Sequence, residues 1–73
     1  MYNYDRQLKM IISDKLRRAT REGKWLRKRD IISPANRAGQ IIFNELEKEG
    51  HLVSRLVEDK ANMESFYVYQ WRA

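Results

Sequence analysis

The chain has no cysteine, one proline and only three glycines among its 73 residues. Without cysteine, neither a disulfide framework nor a thiolate metal site can stabilise it, which suits a reducing compartment. Apolar runs such as residues 10–12 and 41–43 are far too short to span a membrane. The N-terminal residues also lack the charge pattern and apolar run of a signal peptide. The sequence therefore predicts a small cytoplasmic domain that does not bind a membrane and depends on one core.

Residues suited to catalysis or metal binding are also scarce. His51 is the only histidine, and the sequence has no Ser/His/Asp set, glycine-rich phosphate loop or His/Cys metal spacing. Glu45 and Glu49 share a predicted helical face, where pairing with the basic end of the first helix is a simpler role than metal binding. A chain this short also uses most of its apolar residues to fold. We therefore expect no enzyme, metal, cofactor or small-molecule ligand.

Positive charge is concentrated in residues 17–29, where Glu22 is the single acid. This stretch accounts for the whole net charge of +5. The basic residues of this stretch are Arg17, Arg18, Arg21, Lys24, Arg27, Lys28 and Arg29. Such a block suits a polyanion, because cations release counterions from phosphates. The alternative is a solvated surface, or pairing with the glutamates at 45, 47 and 49. Since surface ion pairs contribute little, we favour the polyanion.

Residues 33–50 have the start and stop signals of a helix. Ser33 can cap free backbone N–H groups, Pro34 fits the first helical position, and Gly50 can adopt the left-handed conformation that ends a helix. These signals predict a helix over 34–49. Its predicted core face comprises Ala35, Ala38, Ile42 and Leu46, flanked by Ile41 and Phe43.

The opposite face of this predicted helix begins with Asn36, Arg37 and Gln40. Amide and guanidinium groups are those that best pair with the edges of adenine and guanine. These residues are therefore candidates for reading DNA bases. An ordinary solvated helix face is the alternative.

Two further helices are predicted upstream. The first covers residues 4–22 and stops at Gly23. Its apolar stripe comprises Leu8, Ile11, Ile12, Leu16 and Ala19. A short extended segment at 24–26 leads into a brief helix over 27–32, with its last two isoleucines directed into the core.

After Gly50 the apolar pattern alternates with a period of two. Residues 51–57 and 65–71 are rich in β-branched and aromatic side chains, and the polar segment 58–64 connects them. This pattern predicts an antiparallel hairpin but leaves open which face packs on the helices. Tyr67, Tyr69 and Trp71 are either core and cross-strand residues or a row that stacks on unpaired bases.

The order of these elements resembles the winged helix-turn-helix family over nearly the whole chain. Residues 43–55 carry the resemblance best, with a leucine, a charged turn, a glycine, an apolar pair and an arginine leading from helix to hairpin. The resemblance implies one α+β domain over 1–73, with helices at 4–22, 27–32 and 34–49 and a C-terminal two-stranded β-hairpin wing at 51–71.

In that family the helix corresponding to 34–49 enters the major groove of double-stranded DNA. The resemblance therefore implies that Asn36, Arg37 and Gln40 face base edges. It also implies phosphate contacts from the basic residues of 17–29 and from Asn44. Family wings often have basic tips, whereas 58–64 carries three acids and one lysine, so Arg55 is the favoured wing contact.

We accordingly predict a sequence-specific DNA-binding protein, a small transcriptional regulator that acts as a monomer or as a homodimer on a two-fold site. Two alternatives remain. One is a protein-interaction adaptor whose contact surface is the acidic wing and the aromatic strand, because a fold does not fix a function. The other is RNA or single-strand binding through 17–29 and the aromatic row.

Overall fold

The protein is an α+β structure with three helices and a three-stranded antiparallel sheet, in a computed structural model that describes residues 4–72. The elements are α1 (Tyr4–Arg21), β1 (Leu26–Arg27), α2 (Lys28–Ile31), α3 (Arg37–Lys48), β2 (Leu52–Asp59) and β3 (Glu64–Trp71). The strands lie in the order β1-β3-β2. None of the helices in the described range has the length and apolar character needed to cross a membrane.

The sheet has one strand more than the sequence predicted. β2 and β3 form the expected antiparallel pair, with Leu52 opposite Trp71 and Asp59 opposite Glu64. β1 is the additional strand, and its Leu26 lies opposite Tyr69 on the free edge of β3. A two-residue strand has no periodicity of its own, so only this pairing defines it.

The predicted glycine stops of α1 and α3 are confirmed. Gly23 and Gly50 both have left-handed backbones, with φ of 72° and 81°. After Gly50, the backbone N–H of His51 donates to the carbonyl of Leu46 at 3.0 Å. This bond satisfies a carbonyl that the end of the helix would otherwise leave without a partner.

The predicted start of the third helix is wrong. α3 begins at Arg37 rather than at residue 34, and its cap is Asn36, whose side-chain oxygen accepts from the backbone N–H of Gly39 at 2.9 Å. Residues 33–36 form a turn instead, in which the N–H of Asn36 donates to the carbonyl of Ser33 at 2.9 Å. Ser33 and Asn36 are equally good caps, so the turn between α2 and α3 decides between them.

The core joins all three helices to one face of the sheet. Its buried residues are Ile12, Leu16, Ile31, Ile32, Ile42, Phe43, Leu46, Leu52 and Tyr69. The rings of Phe43 and Tyr69 meet edge to face, with centroids 4.9 Å apart. Burial raises the pKa of the Tyr69 hydroxyl. Because Leu52 and Tyr69 share this face, it is the face that packs on the helices, which the sequence had left open.

Two isoleucines that the sequence placed in the core or at its edge are exposed. Ile11 and Ile41 are each 60% exposed, and Ser13 is buried on α1 where the stripe predicted Ile11. Ala35 is also exposed, because it lies in the turn before α3. In an α-helix successive residues are rotated by about 100° around the axis. A modest error in the assumed centre of the buried face therefore moves residues at its edges from buried to exposed, or the reverse.

The far half of the hairpin leaves the core. From residue 54 to residue 67 every residue is exposed or half-buried. The turn occupies residues 60–63, and Met63 there is 94% exposed with a φ of 53°. The projecting hairpin makes the molecule long, with extents of 49, 27 and 20 Å.

Candidate nucleic-acid interface

The outward face of α3 carries four residues in one line along the helix: Arg37, Ile41, Asn44 and Lys48. All four are exposed and lie at helical spacing opposite the buried face of α3. We call this line the α3 stripe. A helix of twelve residues is about 18 Å long and about 10–12 Å wide, which fits the width of a DNA major groove.

The ends of the α3 stripe are positively charged. Among the described residues, neither the guanidinium of Arg37 nor the ammonium of Lys48 has a carboxylate within 4 Å. Both charges are therefore available to an external anion.

The other two predicted base-reading residues are engaged locally. Asn36 is half-buried, and its side-chain oxygen caps α3. Gln40 is half-buried as well, and its Nε2 donates to the carbonyl of Ser33 at 3.4 Å. Of the three residues in the sequence prediction, only Arg37 has a side chain without such a bond among residues 4–72.

Lys28 connects the start of α2 to the α3 stripe. Its Nζ lies 3.5 Å from the side-chain oxygen of Asn44 and 5.0 Å from the centroid of the Phe43 ring. Two predicted phosphate-binding residues, Lys28 and Asn44, thus meet in the fold. Arg29 follows on the exposed side of α2, without a carboxylate within 4 Å in the described range.

Arg27 and Arg55 lie on the outer face of the sheet. Both are opposite Val68 in the register, one on each side of β3, and the outer face is the one away from the core. The guanidinium carbon of Arg27 is 3.4 Å from the Phe66 ring centroid, and that of Arg55 is 5.8 Å from the Trp25 ring centroid. Their stems cover apolar surface.

The remaining basic residues of 17–29 lie on α1 and in the turn before β1. Arg17 is 4.6 Å from the ring centroid of Trp71 and 3.8 Å from Asp14, while Arg21 lines the same side of Trp71. Lys24 pairs with Glu22 at 3.2 Å. Arg18 is exposed on α1.

The continuous basic stretch is therefore divided in the fold. Arg17 contacts Trp71 and Arg27 contacts Phe66, positions five residues apart on β3 and hence about 16 Å apart along the strand. The sequence could not predict this separation, because it arises from the path of the chain between α1 and α2.

The aromatic row of β3 offers one free ring. Tyr69 is buried against Phe43. Trp71 is stacked on His51, with centroids 5.1 Å apart and planes at 6°, and Arg17 also lies over its ring. Tyr67, at 54% exposure, is the ring that remains accessible.

Glu49 pairs with the first half of α1, and not with its basic end as the sequence predicted. Its carboxylate is 3.0 Å from Nζ of Lys9 and 3.3 Å from Nε2 of His51. The hydrogen bond from Lys9 is the main cause that lowers the pKa of Glu49. Within residues 4–72, no group of three or more His, Cys, Asp or Glu residues is arranged to hold a metal ion.

The hairpin tip is acidic. Asp59 accepts from the side-chain amide of Asn62 at 2.8 Å and from its backbone N–H at 3.3 Å, and these bonds lower the pKa of the Asp59 carboxyl. Glu58 and Glu64 flank it against a single lysine. This end of the hairpin is electrostatically unsuited to phosphates.

Comparison of the chain with protein-family models, with curated proteins and with solved structures found no match. The winged helix-turn-helix resemblance therefore rests on the order of the elements and on residues 43–55.

Proposed function

We propose that this chain is a winged helix-turn-helix domain that binds double-stranded DNA in a sequence-specific manner, as a small transcriptional regulator. In this proposal α3 enters the major groove, α2 and α3 form the helix-turn-helix, and the β2–β3 hairpin is the wing. The observation that carries the proposal is the α3 stripe, an exposed line that has Lys28 beside it and begins with Arg37, which has no carboxylate partner within residues 4–72.

Arg37 is the principal base-reading residue of this proposal. A guanidinium can donate two parallel hydrogen bonds to O6 and N7 of guanine, and such a pair is worth about 1–3 kcal/mol of discrimination against other bases. Asn36 and Gln40 would first have to give up their bonds to Gly39 and Ser33. We therefore rank them below Arg37.

Phosphate contacts are proposed mainly for Lys28 and Arg29. Lys28 lies next to the α3 stripe, and Arg29 follows it on α2, so phosphates bordering the groove would come within reach of the start of α2. Arg55 remains the residue of the wing proposed to contact the DNA backbone, and it lies on the half of the hairpin nearer the core. The acidic tip would stay away from the backbone.

The test is a binding titration with duplex DNA selected from a random pool, by fluorescence anisotropy at fixed salt. Arg37→Lys keeps the charge but loses the planar fork, so it should retain binding to random duplex while losing preference for the selected site. Arg37→Ala should show the same loss of preference. If both variants discriminate sites as the wild type does, the proposed base reading is wrong. A palindromic selected motif would support a homodimer.

Competition with single-stranded DNA and RNA of the same sequence tests the second nucleic-acid alternative. Single-strand binding relies on several aromatic rings that stack on successive bases, whereas Tyr67 is the one accessible ring of the predicted aromatic row. We therefore expect duplex DNA to compete best. Stronger competition by either single strand would replace the proposal.

The adaptor alternative is favoured by the hairpin tip, where acids surround the exposed Met63. Removing charge at 27–29 should abolish DNA binding but leave a partner of the tip bound. A tagged protein that retains the same partner after this change, and that never binds duplex DNA, would support the adaptor.

A further inference from the structure

Ile41 is a large apolar side chain that the fold does not use. It is 60% exposed in the middle of the α3 stripe, between Arg37 and Asn44. The sequence pattern had placed it beside the core, but the buried positions of α3 are taken by Gly39, Ile42, Phe43 and Leu46. A single exposed isoleucine is ordinary on a protein surface, whereas one at the centre of a proposed DNA-reading face is placed where it meets a base edge.

We infer that Ile41 contacts the C5-methyl group of a thymine in the bound site. This inference rests on the proposed function, because it requires α3 in the major groove. There, the base edges present donors, acceptors and one apolar group, which is the thymine methyl. A β-branched side chain packs against that methyl without leaving a polar group unsatisfied.

The geometry also limits the spacing between the two bases that Arg37 and Ile41 read. Arg37 precedes Ile41 by four residues, which is one turn and about 6 Å along the helix axis. The thymine read by Ile41 therefore lies within about two base pairs of the guanine proposed for Arg37, because base pairs are stacked about 3.4 Å apart.

The experiment replaces each thymine of the selected duplex in turn by deoxyuridine, which keeps every hydrogen-bonding group and lacks only the methyl. Wild-type protein should bind one of these duplexes about fourfold more weakly, the factor expected for burying one methyl-sized group. Ile41→Ala should bind that duplex and the thymine duplex equally.

Ile11→Ala is the matched control, because Ile11 has the same 60% exposure but lies on α1. This variant should keep the full penalty for deoxyuridine. The inference is overturned if no thymine shows a penalty, if Ile41→Ala keeps it, or if Ile41→Ala changes the oligomeric state in sedimentation. Failure to bind any duplex would overturn the proposed function itself, a distinguishable result.

Discussion

Asn36 caps α3 through a 2.9 Å hydrogen bond from the backbone N–H of Gly39 to its side-chain oxygen. This bond sets the first residue of the helix at Arg37 and thereby sets which side chains reach outward from its first turn. The amide predicted to face a base edge is in this structure the group that holds the helix start in place.

Substitutions at Asn36 separate these two roles. Asn36→Ala should lower the free energy of unfolding by about 1 kcal/mol, because it removes the cap. Asn36→Ser restores a capping oxygen but removes the amide, so it should keep both the stability and the DNA preference of the wild type. Urea denaturation and binding titrations measure the two quantities. Wild-type stability combined with lost site preference in Asn36→Ser would show that the amide reads a base.

Gly39 is required by close packing. A Cβ on this residue would overlap the Cγ2 methyl of Ile32, which is buried and branched at Cβ and cannot swing away. Gly39→Ala should therefore destabilise the protein by about 1–3 kcal/mol, even though alanine is the better helix former.

A double-mutant cycle tests this explanation. Ile32→Ala removes the obstructing methyl, so Gly39→Ala should cost less in that background, as measured by urea unfolding. If Gly39→Ala costs the same in both backgrounds, or stabilises the wild type, the packing account of this glycine is wrong.

The division of the basic stretch predicts different salt dependences for two cations. Lys28→Ala should weaken binding to all duplexes and reduce the slope of log K against log salt by about 0.9, as loss of one phosphate contact does. Arg17→Ala should leave the slope unchanged, because Arg17 lies over Trp71 and near Asp14. Titrations at several salt concentrations measure both slopes. Equal reductions would mean that the DNA surface also includes the Trp71 end.

The salt bridge between Lys9 and Glu49 predicts a pH effect on stability. Because the folded-state pKa of Glu49 is lowered from 4.5, its carboxylate stabilises the fold above that pH, and this contribution is lost as the pH falls through the folded value. Glu49→Gln should therefore lose less stability than the wild type between about pH 6 and pH 3.

Glu45→Gln is the control for that comparison. Glu45 is exposed on the same helix and has no basic group within 4 Å among the described residues. Its substitution removes a carboxylate from α3 but leaves the pair of Lys9 and Glu49 in place, so the acid-dependent loss due to that pair should remain. The assignment to Glu49 fails if both variants lose stability on acidification as steeply as the wild type.

Local signals in the sequence predicted much of the fold. Gly23 and Gly50 end their helices because glycine, without a Cβ, adopts the left-handed conformation readily. The alternation after Gly50 predicted the β2–β3 pair. The start of α3 was missed because Ser33 and Asn36 are equally good caps, and only the turn at 33–36 decides between them. β1 was missed as a strand because its pairing partner, β3, lies some forty residues away.

The candidate site was less predictable. The exposure of Arg37 followed from helical spacing, and so did its position on the face opposite the core. The contact of Lys28 with Asn44 and the placement of Arg17 beside Trp71 are tertiary relationships that no local pattern encodes. One sequence signal could have predicted the exposure of Ile41: it lies four residues after Arg37 and hence on the same face of the helix.

The most direct test of the account is an NMR titration of the protein with the selected duplex, which follows the backbone amide resonances. If α3 enters the major groove, the largest shifts should occur at residues 37–48 and at Lys28, with small shifts along the first half of α1. Largest shifts at the hairpin tip or around Trp71, or no shifts with equimolar duplex, would contradict it.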